Sequence, residues 1–156
     1  MTEKYFWTVE EVSNYYTNLK VESSLRLPSD AFCTEDFTWN EVLKTNSRFF
    51  TIPPINVLEN LKTTSDVLQL YRDELGCPIK ITSSWRSPKE QTYLSKMGKK
   101  PSTTSLHLEG LAMDFVIYGI SISKVHKYLD CVHMGEVEYG TNYTHISLPT
   151  FSKSYL

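Results

Sequence analysis

The chain has 156 residues, a length suited to one domain with its own core. At 40% hydrophobic and 22% charged residues with a formal net charge of −2, its composition is that of a globular protein and excludes the basic footprint of a nucleic-acid or membrane-surface binder. No run approaches the ~18 apolar residues of a membrane span, Met1-Thr2-Glu3-Lys4-Tyr5 lacks the basic start and apolar run of a signal peptide, and Cys33, Cys77 and Cys131 form no Cys-x-x-Cys pair, so they read as buried or free thiols in a reducing compartment.

The first predicted helix runs from about Val9 to Leu19, opened by the capping box of Thr8 and Glu11. The Tyr5-Phe6-Trp7 cluster before it reads as a core staple. A polar stretch, Lys20–Asp30, follows, then a short helix near Thr38 with its capping partner Glu41. The longest helix is expected from about Asn56 to Leu75. Val57, Leu61, Thr64, Leu68, Tyr71 and Leu75 recur at helical spacing on one face, and Thr64 is the sole polar member. Gly76 stands where a C-terminal cap belongs, and Pro78 cannot extend the helix.

Beyond Pro78 the pattern turns to strands. Ile79-Lys80-Ile81-Thr82 alternates, Glu90–Ser95 is a short helix, and Lys96–Thr104 is a polar loop with three lysines. Ala112–Tyr118 reads as a strand and Ile122–Leu129 as a helix. Val132–Tyr139 and Tyr143–Leu148 read as two strands flanking Gly140-Thr141-Asn142, a hairpin signal. Helices first and strands later predict an α+β domain, with N-terminal helices packed on a small antiparallel sheet.

The chemistry concentrates in Ser105-Leu106-His107-Leu108-Glu109-Gly110-Leu111-Ala112-Met113-Asp114. Asp114 lies inside an apolar strand, where a carboxylate is costly unless it is paired or bound to a metal, and it points away from Met113 and Phe115. Zinc accepts imidazole nitrogen and carboxylate oxygen, and a catalytic site keeps one position open. Of the four histidines, His145 is the best third ligand beside His107, because it sits in the strand-like run Tyr143–Leu148. An even-numbered turn at Gly140–Tyr143 would set Glu138 directly opposite His145 as a general base; an odd turn would put Val137 there, with Glu136 as the fallback. His126 falls on a helix and reads as structural.

The pattern Ser105-x-His107-x-x-Gly110-x-Ala112-x-Asp114 resembles the signature of the zinc D-Ala-D-Ala carboxypeptidase family, in its small bacterial and phage-type branch. Ile81-Thr82-Ser83-Ser84-Trp85-Arg86-Ser87-Pro88 resembles that family's strand-then-Arg motif, and Glu138-Tyr139-Gly140 with Thr144-His145-Ile146-Ser147 resembles its closing hairpin. With the helical part from Phe37 to Leu75, the resemblance covers about residues 37–148. It implies a hedgehog/DD-peptidase fold over 37–148, an N-terminal extension at 1–36 packed on it, and a tail at 149–156.

The resemblance also implies roles. His107, Asp114 and His145 would hold Zn2+, Arg86 would meet the substrate carboxylate or the developing oxyanion, Ser105 would support the substrate site, and Glu138 would be the base. Some members carry the base three residues before the last ligand; here that residue is Asn142, which cannot act as one, so Glu136 and His133 stand as alternative bases. The function implied is hydrolysis of a peptidoglycan stem peptide, foremost as a D-Ala-D-Ala carboxypeptidase. The alternatives are an L-Ala-D-Glu endopeptidase of endolysin type and a non-catalytic zinc-binding phage protein. A monomer is expected, made in the cytoplasm, phage-encoded or virion-associated, and acting on the cell wall.

Overall fold

A computed structural model describes residues 4–19 and 25–149. Helix α1 (Val9–Thr17) starts at the capping box expected of Thr8 and Glu11, with the Thr8 hydroxyl accepting from the Glu11 N–H. Its buried stripe, Val9, Val12 and Tyr16, packs toward the long helix α3 (Ile55–Leu75). Helix α2 (Trp39–Leu43) is capped by Thr38 and buries Trp39 completely. Helix α3 ends at Gly76, whose positive φ of 65° closes the last turn. Leu27, Ala31 and Cys33 from the N-terminal part share one core with Leu58, Leu61 and Leu68 of α3. The first part of the polar stretch, residues 20–24, lies outside the described residues.

The sheet is antiparallel throughout, in the order β3 (Ile79–Ser83), β4 (Ala112–Ile117), β6 (Thr144–Ser147), β5 (Val137–Tyr139). Its β4 row of Ala112, Met113 and Phe115 is fully buried. Helices α4 (Pro88–Lys96) and α5 (Ile122–Val132) fill the connections. The chain is therefore α+β, as the segment order predicts. Among the described residues no helix is long and apolar enough to cross a membrane.

Three local expectations are corrected. The strand expected at Val132–Tyr139 begins only at Val137, because α5 continues to Val132, the His133 N–H still donating to Leu129 O, and Gly135 turns the chain at φ 148°. Tyr5 and Phe6 do not staple the core: at 58% and 53% exposure they form β1 (Tyr5–Phe6), paired in parallel with β2 (Ala31–Phe32). Of that cluster only Trp7 packs inward, and its carbonyl accepts from the Trp39 indole N–H at 2.9 Å. His107 lies in a 3-10 turn, Leu106–Glu109, rather than in an open loop.

Candidate metal centre

Three segments bring the site together. Strand β4 sends Met113 and Phe115 into the core, so the alternation turns Asp114 to the opposite face. Strand β6 pairs with β4 in the register that sets Asp114 against His145. The His145 Nδ1 lies 2.7 Å from Asp114 Oδ1.

The third segment is the 3-10 turn. Ser105 caps it, its hydroxyl accepting from the His107 N–H at 3.3 Å. The turn is fastened to α3 at two points: Asn60 Nδ2 donates to Glu109 O at 2.8 Å, and the Thr64 hydroxyl lies 2.9 Å from Gly110 O. Gly110 is required there, with φ 77° and a Cβ that would stand 2.9 Å from Val57 O on α3. The α3 face thereby sets the height of His107 above the sheet.

His107 is 7% exposed, and its Nδ1 lies 2.5 Å from the Ser84 carbonyl oxygen. A carbonyl only accepts, so Nδ1 carries a proton, and Nε2 is the nitrogen that a metal would take in place of its own proton. That Nε2 lies 3.3 Å from Asp114 Oδ1. One ligand atom each of His107, Asp114 and His145 lie within 4.8 Å of one another, and these three residues could hold a metal ion. Two imidazole nitrogens and a carboxylate oxygen are donors that suit zinc and leave a coordination position open.

The electrostatics favour a charged carboxylate. Burial pushes the Asp114 carboxyl up, but hydrogen bonds to His107 and His145 and their charge together outweigh it and bring it down to about 2. The bond to Asp114 raises the His145 imidazole above its ordinary value, against the opposing effect of burial.

The hairpin settles the expected register. Gly140 N donates to Tyr143 O at 2.9 Å, so the turn is even-numbered, and Glu138 stands directly opposite His145. A hydrogen bond shared with Glu136, followed by desolvation, raises the Glu138 carboxyl, while nearby His145 pulls it down. On the other side, Arg86 is held by its N–H, which donates to His107 O at 2.9 Å, and by Nη1, which donates to Gln91 Oε1 at 3.3 Å.

All six singled-out residues, Arg86, Ser105, His107, Asp114, Glu138 and His145, line one cleft of about 450 Å3. Glu136 lines it too. Asn142 faces a different hollow, beside Ile122 and Val125. His133 lies elsewhere, with both ring nitrogens engaged by Tyr71 and Ser147, so it is not free to serve as a base. Lys96, Lys99 and Lys100 are exposed at the end of α4 and after it. The ring of His126 stacks on Tyr139 at 3.6 Å between centroids, away from the cleft.

Sequence reasoning missed three contributors. Tyr143 lines the cleft beside His145, and no motif points to it. Ser84 acts through its backbone, which carries no sequence signal. Thr64 did leave a signal: a polar residue on an apolar helical stripe, buried at 0% exposure, needs a partner and finds it in Gly110 O.

A family model described as Peptidase M15 matches residues 35–148, most of the chain. The chain belongs to the M15 peptidases. No curated protein and no solved structure matches it. As an M15 peptidase it is a zinc metallopeptidase with a hedgehog/DD-peptidase-like α+β fold, and zinc is its cofactor.

Proposed function

We propose that this M15 peptidase cleaves a peptide bond in peptidoglycan stem peptides, foremost as a D-Ala-D-Ala carboxypeptidase, with His107, Asp114 and His145 as its zinc ligands. The observation that carries the reading is the pairing of Glu138 with His145 in a cleft that also holds Asp114, His107 and Arg86. When bound, zinc supplies a Lewis acid that acidifies a water and polarises a carbonyl.

The chain's own groups supply the rest. The Ser84 carbonyl keeps the His107 proton on Nδ1, so that Nε2 remains a ligand through the reaction. Glu138 takes the proton of the attacking water on its carboxylate and hands it to the leaving amine, a role worth about 100- to 10,000-fold in rate. Arg86 offers a planar guanidinium, whose fork suits bidentate pairing with a terminal carboxylate. That feature favours removal of a C-terminal residue over an internal cut. The reading places the protein's action at the cell wall.

Mass spectrometry of purified muropeptides tests this directly. Pentapeptide stems should lose one terminal alanine, a chelator should stop the loss, and added zinc should restore it. Release of a peptide beginning with D-Glu, with L-Ala left on the sugar, would instead establish an endopeptidase, and intact muropeptides with zinc-loaded protein would overturn the reading.

A further inference from the structure

A chain of polar groups outside the cleft is not used by the chemistry above. Tyr71 on α3 is 4% exposed, and its hydroxyl lies 2.5 Å from His133 Nδ1. The two rings meet edge to face at 5.8 Å. The other ring nitrogen, Nε2, lies 2.8 Å from the Ser147 carbonyl oxygen. Because a carbonyl only accepts, Nε2 carries a proton and donates. Burial, and then the Glu74 charge, push the Tyr71 phenol up to about 12, so its hydroxyl stays protonated and donates to Nδ1. A neutral imidazole in one tautomer satisfies both bonds.

Ser147 is the last residue of β6, and the loop after α5 returns to it twice. Its N–H donates to Glu136 O at 3.0 Å, and its carbonyl takes the His133 bond. In an antiparallel ladder such a carbonyl accepts from an N–H of the facing strand. Here an imidazole from four residues before β5 fills that place. Gly135 permits the close return: a Cβ there would stand 2.2 Å from Ser147 O and 3.0 Å from His133 Nε2. The pinned loop runs straight into β5, an edge strand of three residues carrying Glu138. So short an edge has few ladder bonds of its own to hold it.

We propose that His133, fixed by Tyr71, is a positioning residue that clamps the start of β5 to the end of β6 and so sets where Glu136 and Glu138 stand against His145. The consequence for catalysis rests on Glu138 as the base; the clamp itself does not. A base displaced by about 1 Å loses on the order of 100-fold in rate. His133 reaches the reaction only through the strand that it fixes, and Tyr71 ties that strand to the rigid core helix.

The experiment compares wild type with His133→Ala, His133→Gln and Tyr71→Phe by three readouts: amide hydrogen exchange of Val137–Tyr139 in zinc-free and zinc-loaded protein, zinc content, and kcat and KM on a muropeptide. The clamp predicts that His133→Ala speeds β5 exchange at least about tenfold in both forms and keeps its zinc. It also predicts a kcat loss on the order of 10- to 100-fold with KM within about twofold. His133→Gln, which restores an N–H donor, should recover most of both losses, and Tyr71→Phe should move both in the direction of His133→Ala by less. Unchanged β5 exchange in His133→Ala and Tyr71→Phe would overturn the clamp. Faster exchange with unchanged kcat would overturn its catalytic consequence. Should the wild type turn over no muropeptide, the function proposed above fails, while the exchange measurements still decide the clamp.

Discussion

Glu138 is the carboxylate in register with His145, while Glu136, two residues earlier and just before β5, lines the same cleft. Glu138→Gln keeps the size and removes the base, so it should lower kcat by at least about 100-fold with zinc retained. Glu136→Gln should cost far less, since Glu138 and not Glu136 stands opposite His145. Steady-state kinetics on a muropeptide, paired with metal analysis, separates these outcomes; equal losses in both variants would reassign the base. Arg86→Lys should raise KM more than it lowers kcat, because an ammonium cannot pair with a carboxylate in bidentate fashion. His107, Asp114 and Arg86 were legible in the sequence because their motifs are dense and local. The part of Ser84 was not, since a backbone carbonyl has no residue type to announce it.

The elements explain why the site stays in place without belonging to one segment. The His107 turn is bolted to α3 by Asn60 and Thr64, and Gly110 lets the two surfaces meet. Gly110→Ala forces a side chain onto Val57 O in a left-handed backbone. It should destabilise the fold by about 1–3 kcal/mol, read as a Tm loss of roughly 2–4 °C per kcal/mol. Thr64→Val leaves Gly110 O without its side-chain donor in the interior and should cost about 1–3 kcal/mol. A Thr64→Val protein as stable as wild type would leave Asn60 and the Gly110 fit as the contacts that hold the turn to α3.

Helix α3 was readable because its apolar face is long and periodic; the β5–β6 register was not, since the sequence allows an even or an odd turn and only the bond between Gly140 and Tyr143 decides between them. The start of β5 was not readable. Val132 still belongs to α5 although it is exposed, and Gly135 turns the chain by steric fit against Ser147, a contact between residues distant in sequence. The β1–β2 pair was missed for a related reason: two-residue strands are too short to show a period.

The hydrophobic core includes none of the three candidate metal ligands among its buried residues. That core runs from Val9 of α1 through Trp39 and α3 to Ile146 of β6. Chelation should therefore abolish peptidase activity while leaving a cooperative melt. Zinc present at about 100 times its Kd stabilises by about 2.7 kcal/mol, so its removal should lower Tm by roughly 5–10 °C in a domain of this size. Loss of the folded signal on chelation would show the metal to be structural. The measurement that bears most directly on the whole account is the zinc content of the dialysed protein and of its His145→Ala variant, since His145 is the ligand delivered by the hairpin rather than by the dense signature. Stoichiometric zinc in the wild type, lost in His145→Ala while the variant still melts cooperatively, is the predicted result. Full zinc retained by folded His145→Ala would contradict it.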